Sequence, residues 1–379
     1  MYSIGALRIG SLACLALLVQ PEFVLTHSAQ SIRQVASLQT ARAAHTATTL
    51  QSGLVLVVGG MSDGGGGMAS VELFDPARNT VQQLDPLADR RASHTATLLG
   101  NGRVLITGGY NGEYLASVEA FDPSAKRFRS AGSLLEPRSG HTATLLPDGR
   151  VLLVGGVGRG WTFLRSAEVY DPETGRSEMV GSMRMSRESH TATLLADGRV
   201  LVVGGHSGRR QNMEVYATAE LFNPQTRRFE SAGRLTIPRH KHDAVRLADG
   251  RVLIIGGADH TDRVHYATTE IYRAPDHSFR PGPAMTYARY KIAGTSILLS
   301  TGEVLVTSGA QVAELLNVQT WRFAEVPGSY PAAYRFAATA LLRDGDVLLQ
   351  AVTLMGTRTR LAYGGSANRE YHRVMLTGG

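Results

Sequence analysis

The chain has 379 residues, 43% of them hydrophobic, with 42 glycines and a formal charge of +7. The apolar share is ample for a large buried core, and the single cysteine, Cys14, excludes intrachain disulfides and thiolate-cluster metal sites. The basic balance favours acidic partners such as polysaccharides, cell-surface polymers or acidic proteins, and serves solubility equally well.

In chain order, the N-terminus stands apart. Arg8 is the only charge before Glu22, Ile9–Val19 is apolar, and the small residues Ser28 and Ala29 follow. This is the layout of a secretory signal, with residues 1–29 removed on export and no membrane span left behind. Leu12-Ala13-Cys14 faintly resembles a lipidation site, but Ser11 stands where leucine is usual. Cleavage near Ala29 leaves a cysteine-free mature chain in a periplasmic, secreted or surface location, where nucleic acid is no expected partner. A monomer is expected.

From residue 30 onward the chain repeats itself. His45-Thr46-Ala47-Thr48 recurs at His94, His141 and His190, decays to His242-Asp243-Ala244-Val245, and reaches Gly294 and Ala337 at an aligned position in copies six and seven. The period is that of one four-stranded propeller blade. The first strand of each unit is the His-Thr-Ala-Thr run. A tight turn such as Asp148-Gly149-Arg150 follows. The second is an apolar run ending in paired glycines, as in Val200–Gly205. The third reads like Ala167-Glu168-Val169-Tyr170 before Asp171-Pro172, and the fourth is short, as in Arg228–Gly233. Small Ala and Thr suit a strand at the crowded axis, and a strand apolar on both faces suits one covered by neighbouring blades.

The Gly-Gly after an apolar strand, the Glu-aromatic strand and the blade-length period resemble the kelch repeat over roughly residues 30–379. The resemblance implies an all-β, seven-bladed propeller of four-stranded blades. Copy six departs with Thr307-Ser308-Gly309, and copy seven has no double glycine and no clear third strand. Ile32–Leu38 resembles a fourth strand placed before the first repeat, and copy seven runs out before its own. The N-terminal strand is therefore expected to close the ring in the last blade.

Arg-x-x-His recurs at Arg42, Arg91, Arg138, Arg187 and Arg239, and a glutamate opens each third strand at Glu72, Glu119, Glu168, Glu220, Glu270 and Glu314. One histidine per blade is too dispersed for a metal ring. A repeated structural Arg–Glu pair is expected instead, with His and Thr satisfying nearby backbone. Asp259-His260-Thr261-Asp262 is turn composition before it is a metal site. Gly64–Gly67 is no phosphate cradle, since no helix follows it.

Function is expected where the repeat varies, on the face carrying the long loops. The ligand-binding candidates there are Trp161, His206, Arg209, Arg210, His240, Lys241, Arg263, His265, Tyr287 and Tyr290, a mix of rings and cations suited to a glycan or an acidic protein. Ordinary solvated loops would also read this way. The first reading is a binding module without metal or cofactor. The alternative is a carbohydrate-active enzyme, a cofactor-free isomerase, epimerase or lyase, on the same face. Kelch-type copper-radical oxidases need a tyrosine cross-linked to a cysteine. The mature chain has none, although Tyr371-His372 superficially resembles a ligand pair.

Overall fold

A computed structural model describes residues 31–62, 65–352 and 369–375; the expected signal segment and Cys14 lie outside them. Seven four-stranded antiparallel sheets form. Blade one runs Thr46–Thr49, Val55–Val58, Val71–Asp75, Thr80–Leu84. Blades two to six repeat this order, starting at Thr95, Thr142, Thr191, Asp243 and Ser296. Blade seven takes Ala338–Leu341, Val347–Val352 and Arg369–Met375 from the C-terminal end and Ser31–Ala36 from the N-terminal end. Ser31 pairs with Met375 and Gln34 with His372, so the ring closes as expected. The third strand of blade seven, unclear in the sequence, is Arg369–Met375.

The unbroken apolar second strands are explained by where they lie. In Val55–Val58 every residue is buried. Val55 and Val57 pack with Ala340 and Leu348 of blade seven, while Leu56 and Val58 pack with Val104 and Ile106 of blade two. Each blade thus supplies half of two core layers, and its side-chain period of two serves both neighbours. First strands contact first strands around the axis.

The repeated Arg–Glu pair is present and buried. Arg42–Glu72, Arg91–Glu119, Arg138–Glu168, Arg187–Glu220 and Arg239–Glu270 lie at 2.6–3.0 Å. A sixth pair was not visible from the motif: Arg289–Glu314 at 2.7 Å, in a repeat whose histidine position holds Ile292. Each guanidinium does more than neutralise a carboxylate. Arg187 Nη1 also donates to the carbonyls of Gly204 (2.6 Å) and Thr218 (3.1 Å), holding the second-to-third-strand connection to its own blade. Glu220 in turn accepts from the backbone N–H of Arg184 (2.8 Å). Blade seven replaces the pair. Tyr334 stands at the arginine position and His372 at the glutamate position, bonded Oη to Nε2 at 3.1 Å. His372 is therefore placed as a blade element.

The histidines stitch blade to blade, through a side chain where a backbone partner was expected. His94 Nε2 bonds Thr46 Oγ1 of the preceding blade (3.0 Å), and His141, His190 and His242 reach Thr95, Thr142 and Thr191 likewise (3.0–3.1 Å). Blade six has no such histidine. There Asp243 stands for the threonine and accepts the N–H groups of Gly294, Thr295 and Ser296 (2.7–3.0 Å). The paired glycines make room for this seam. A Cβ on Gly204 would sit 2.5 Å from the Arg239 carbonyl and 2.8 Å from His242 Cε1.

Three outcomes follow from this packing. Arg187→Ala strands the buried Glu220 and is expected to cost about 3 kcal/mol, read as a lowered denaturant midpoint; an unchanged midpoint contradicts the pair's structural role. Removing residues 31–36 exposes an edge on the last blade and should lower the melting temperature sharply, which circular dichroism checks.

The third outcome concerns acid. Burial, then the neighbouring arginine, pulls His45, His94 and His190 down to about 3, and His141 and His242 well below their ordinary value. The folded chain refuses protons that the unfolded chain binds below pH 6.5. Stability is therefore full above that pH and falls on acidification, by about 1.4 kcal/mol per pH unit per ring, until the folded values are reached. Burial of Asp243, whose carboxyl is raised, opposes this only at the acid end. Urea unfolding of His141→Gln between pH 7 and 5 should show a slope about one proton shallower than wild type.

Candidate functional site

The mouth of the axial channel on the long-loop face is built from two residues per blade, those just before the histidine position. The innermost are Ala44, Ser93, Gly140, Ser189, Lys241, Lys291 and Phe336, all with φ between 51° and 63°. Left-handed backbone is rare outside glycine, and its recurrence here has a cause. It aims six of the seven N–H groups at the preceding blade's carbonyl: Ser93 N to Ala44 O, Gly140 N to Ser93 O, Lys241 N to Ser189 O, Lys291 N to Lys241 O, Phe336 N to Lys291 O and Ala44 N to Phe336 O (2.8–3.1 Å). The next residues outward are Ala43, Ala92, Ser139, Glu188, His240, Tyr290 and Arg335.

Both rings are small and neutral in blades one to three; the outer ring becomes charged or aromatic from Glu188 of blade four onward, and the inner ring from Lys241 of blade five onward. The left-handed backbone recurs in all seven blades, so side-chain chemistry is what chiefly breaks the symmetry. Glu188 leans over Gly140, where an added Cβ would meet its Oε1 at 2.8 Å. Its Oε2 lies 3.4 Å from His206 Nε2. His206 and His240 face each other Nδ1 to Nδ1 at 3.1 Å, and His240 Nε2 lies 3.1 Å from both Asp262 Oδ1 and the Asp259 carbonyl. Lys241 bonds Asp262 Oδ2. Burial raises the Glu188 carboxyl against the pull of Lys241 and Arg209. Burial, then His240 and Lys241, pulls His206 down to about 3. Asp262 is held well below the carboxylate range because hydrogen bonds from His240 and Lys241 outweigh its burial.

Two flanks enclose this centre. On one, Tyr110, Tyr114 and Trp161 cluster with ring centroids 5.1–6.1 Å apart, and the Arg209 guanidinium lies over Trp161 at 3.1 Å. The Tyr114 hydroxyl, pushed up to about 12 by burial, has no hydrogen-bond partner. On the other, Lys291 lies over the rings of Tyr290 and Phe336, and Arg335 lies over Tyr290, which His265 stacks at 3.7 Å. Burial, then Lys241, lowers the Lys291 ammonium. Among the described residues, Arg209, Lys291 and Arg335 have no carboxylate partner within ion-pair distance.

The mouth brings together Trp161, His206, Arg209, His240, Lys241, His265 and Tyr290 of the sequence candidates. His206, His240 and Tyr290 are buried where exposed loop side chains were expected, because their positions pack against the next blade. Tyr287 stands apart, donating to Glu325 of the outer strand (2.8 Å). Arg263 belongs to a turn in which the Asp259 carboxylate accepts the N–H groups of Thr261, Arg263 and Val264. Arg210 opens the short 3-10 turn Arg210–Asn212. Glu188, Tyr110, Tyr114, Lys291 and Arg335 were not among the binding candidates drawn from the sequence. The signal lay in the repeat-aligned column two before each histidine, which changes from Ala, Ala, Ser to Glu, His, Tyr, Arg.

Shallow grooves on the opposite, short-turn face recur between blades one and two and between blades four and five, lined by turn residues in local pairs such as Arg251–Asp249. They follow from the repeat itself. Among the described residues no group of three His, Cys, Asp or Glu side chains is placed to hold a metal ion.

The kelch motif matches residues 91–135 and 137–184, blades two and three. No curated protein matches the chain. Among solved structures, a fungal alcohol oxidase of the AA5 family in complex with copper is similar at a TM-score of 0.70 and 14% identity, over 90% of this chain and 75% of that one. At that identity the likeness shows the fold alone. The chain is a seven-bladed propeller carrying kelch motifs. His372, which beside Tyr371 resembled a ligand pair in the sequence, sits in the blade-seven pair with Tyr334.

Proposed function

We propose that this propeller is a binding module, exported by its N-terminal segment, that takes an anionic glycan at the channel mouth of blades four to seven. One observation carries the reading: Lys291 is partly withdrawn from water, next to Lys241 and Arg335, and among the described residues no carboxylate lies within ion-pair distance of it; Asp262, already bonded to Lys241, acts on it only from farther off. A desolvated ammonium among other cations raises the free energy of the empty site, and an anionic group relieves it. Aromatic surface on both flanks suits the rest of such a ligand. Trp161, on the opposite flank, is 51% exposed, and Phe336, beside Lys291 at the innermost ring, is 37% exposed, so both offer faces for a sugar to stack on. A sugar acid matches both flanks at once; an acidic protein segment would use the cations but leave the aromatic flank without its natural partner.

The test is an array of acidic and neutral glycans, followed by titration of the acidic hits at rising salt. Binding should weaken with salt, because the pairs formed are partly exposed. Lys291→Met with Arg335→Gln should lower affinity for those glycans about tenfold or more. The melting temperature should hold or rise, since the substitutions remove repelling cations. Capture of acidic peptides but no glycan overturns the glycan reading, and unchanged affinity in the double variant overturns the site.

A further inference from the structure

Four side chains at the mouth, Glu188, His206, His240 and Asp262, form a continuous line of polar contacts that ring closure does not require. Blades one to three hold Ala43, Ala92 and Ser139 where Glu188 and His240 stand, and close with the same backbone. The line has a direction. Asp262 is fixed at one end by Lys241, and Glu188 ends the other over Gly140, with 31% of its side chain open to solvent.

We propose that these four residues form a proton relay that couples binding of the anionic ligand to proton uptake.

The proton count follows from the contacts. Two neighbouring Nδ1 atoms at 3.1 Å need one proton between them, and His240 Nε2, facing two oxygens, needs another. With only these two, His206 Nε2 presents a lone pair to the Glu188 carboxylate at 3.4 Å. A third proton removes that conflict in either of two ways. As an acid, Glu188 donates O–H to His206 Nε2, His206 Nδ1–H donates to His240 Nδ1, and His240 Nε2–H donates to the Asp259 carbonyl beside Asp262. Alternatively Glu188 is a carboxylate accepting His206 Nε2–H, while His240 is an imidazolium donating Nδ1–H to His206 and Nε2–H to the Asp259 carbonyl, its charge facing the Asp262 carboxylate. Passing from the first to the second breaks Glu188 O–H and His206 Nδ1–H and forms His206 Nε2–H and His240 Nδ1–H. The same three protons are held throughout.

Other charges set how easily the third proton enters. Glu188 is faced by Lys241 and Arg209, which favour its carboxylate, and by Asp262, which disfavours it; the Tyr114 hydroxyl is also within reach. His206 is faced by His240, Lys241 and Asp262. His190 and His242, on the inner strands, lie close behind and stay neutral. An anion held at Lys291 and Arg335 adds negative charge next to Lys241, the cation that acts on both Lys291 and Glu188, and offsets its pull on the carboxylate, so binding draws in the third proton. Affinity then rises as pH falls, by up to about tenfold per pH unit, the limit for one coupled proton.

This inference rests on the anionic-ligand reading, and the experiment has two arms so that the two can fail separately. In the first, the ligand-free protein is labelled with 15N-histidine. His206 and His240 are assigned through variants at each and titrated from pH 8 to 5. One shared step, lost in Glu188→Gln, is expected; independent titrations, or a shared step that survives in Glu188→Gln, overturn the relay. In the second, trigalacturonate, whose carboxylates stay ionised over the range, is titrated calorimetrically in buffers of different ionisation heat. Wild type should take up a substantial fraction of a proton. Glu188→Gln, an uncharged mimic of the acid, should take up almost none and bind with little pH dependence. Uptake that persists in Glu188→Gln belongs to Lys291 and overturns the coupling.

If Glu188→Gln does not fold, Gly140→Ala serves. Ala44 and Ser93 hold the same backbone in their blades, so the added methyl acts on the Glu188 carboxyl 2.8 Å away, and the pH dependence should fall with folding intact. Absence of trigalacturonate binding, with the shared step present, counts against that ligand class and leaves the relay standing.

Discussion

The buried arginine is the constraint on which the molecule is built. Its planar guanidinium has five donors, and in each of six blades it is spent on a glutamate, on the carbonyl of the residue closing the second strand and on the start of the third strand. A charge so deeply placed is tolerable only with its carboxylate and carbonyl acceptors in place, so the arginine dictates where those carbonyls lie, even though Nε of Arg91, Arg187 and Arg239 finds no partner among the described residues. Its own carbonyl accepts the N–H of the second glycine in the preceding blade, as Arg91 O does from Gly60 N (2.8 Å). One residue thus fixes the interior of its own blade and the distance to its neighbour. Repeated round the ring, it sets the mouth.

On such a scaffold the geometry of the mouth is fixed and its chemistry is free to vary. The hydrogen-bonded, left-handed ring accepts alanine, serine, glycine, lysine and phenylalanine alike, since what it demands is a backbone conformation. Gathering all the charge into four adjacent blades concentrates field and aromatic surface on one side of the axis. The quiet side, Ala43, Ala92 and Ser139, leaves space. The Glu188 carboxyl also takes up the space left by Gly140, which ties the acid to the one blade that lacks a side chain at the rim.

Blade number, strand order and ring closure were legible because the period, the Asp-Gly turns and the stray strand Ile32–Leu38 are local patterns. The Arg–Glu pair was legible because both partners recur with the period. Arg289 escaped because copy six was aligned on its second-strand valine, which put Gly294 at the histidine position; the structure puts Ile292 there, two residues earlier and three after Arg289. His372 looked like a ligand because nothing in the chain reveals that it stands in register with Leu349, as each glutamate does with its own second strand. The site was only partly legible for a similar reason. Long loops attract attention by being variable, which favoured Arg263 and Tyr287. The acid that matters sits inside the motif itself, in Arg187-Glu188-Ser189-His190, where constancy of the neighbours hides it.

The closing blade has a bearing on how the molecule comes into being. Its outermost strand is among the earliest parts of the propeller to be synthesised and must wait for Arg369–Met375, made near the end, before it finds a partner. Six blades can consolidate in order behind it while that strand stays unpaired. The waiting blade is also the one built on Tyr334 and His372 where the others hold an arginine and a glutamate. A half-assembled blade of this kind strands no arginine of the repeated pair in a dry interior, and its vulnerable period is that of an open β-edge exposed to other nascent chains.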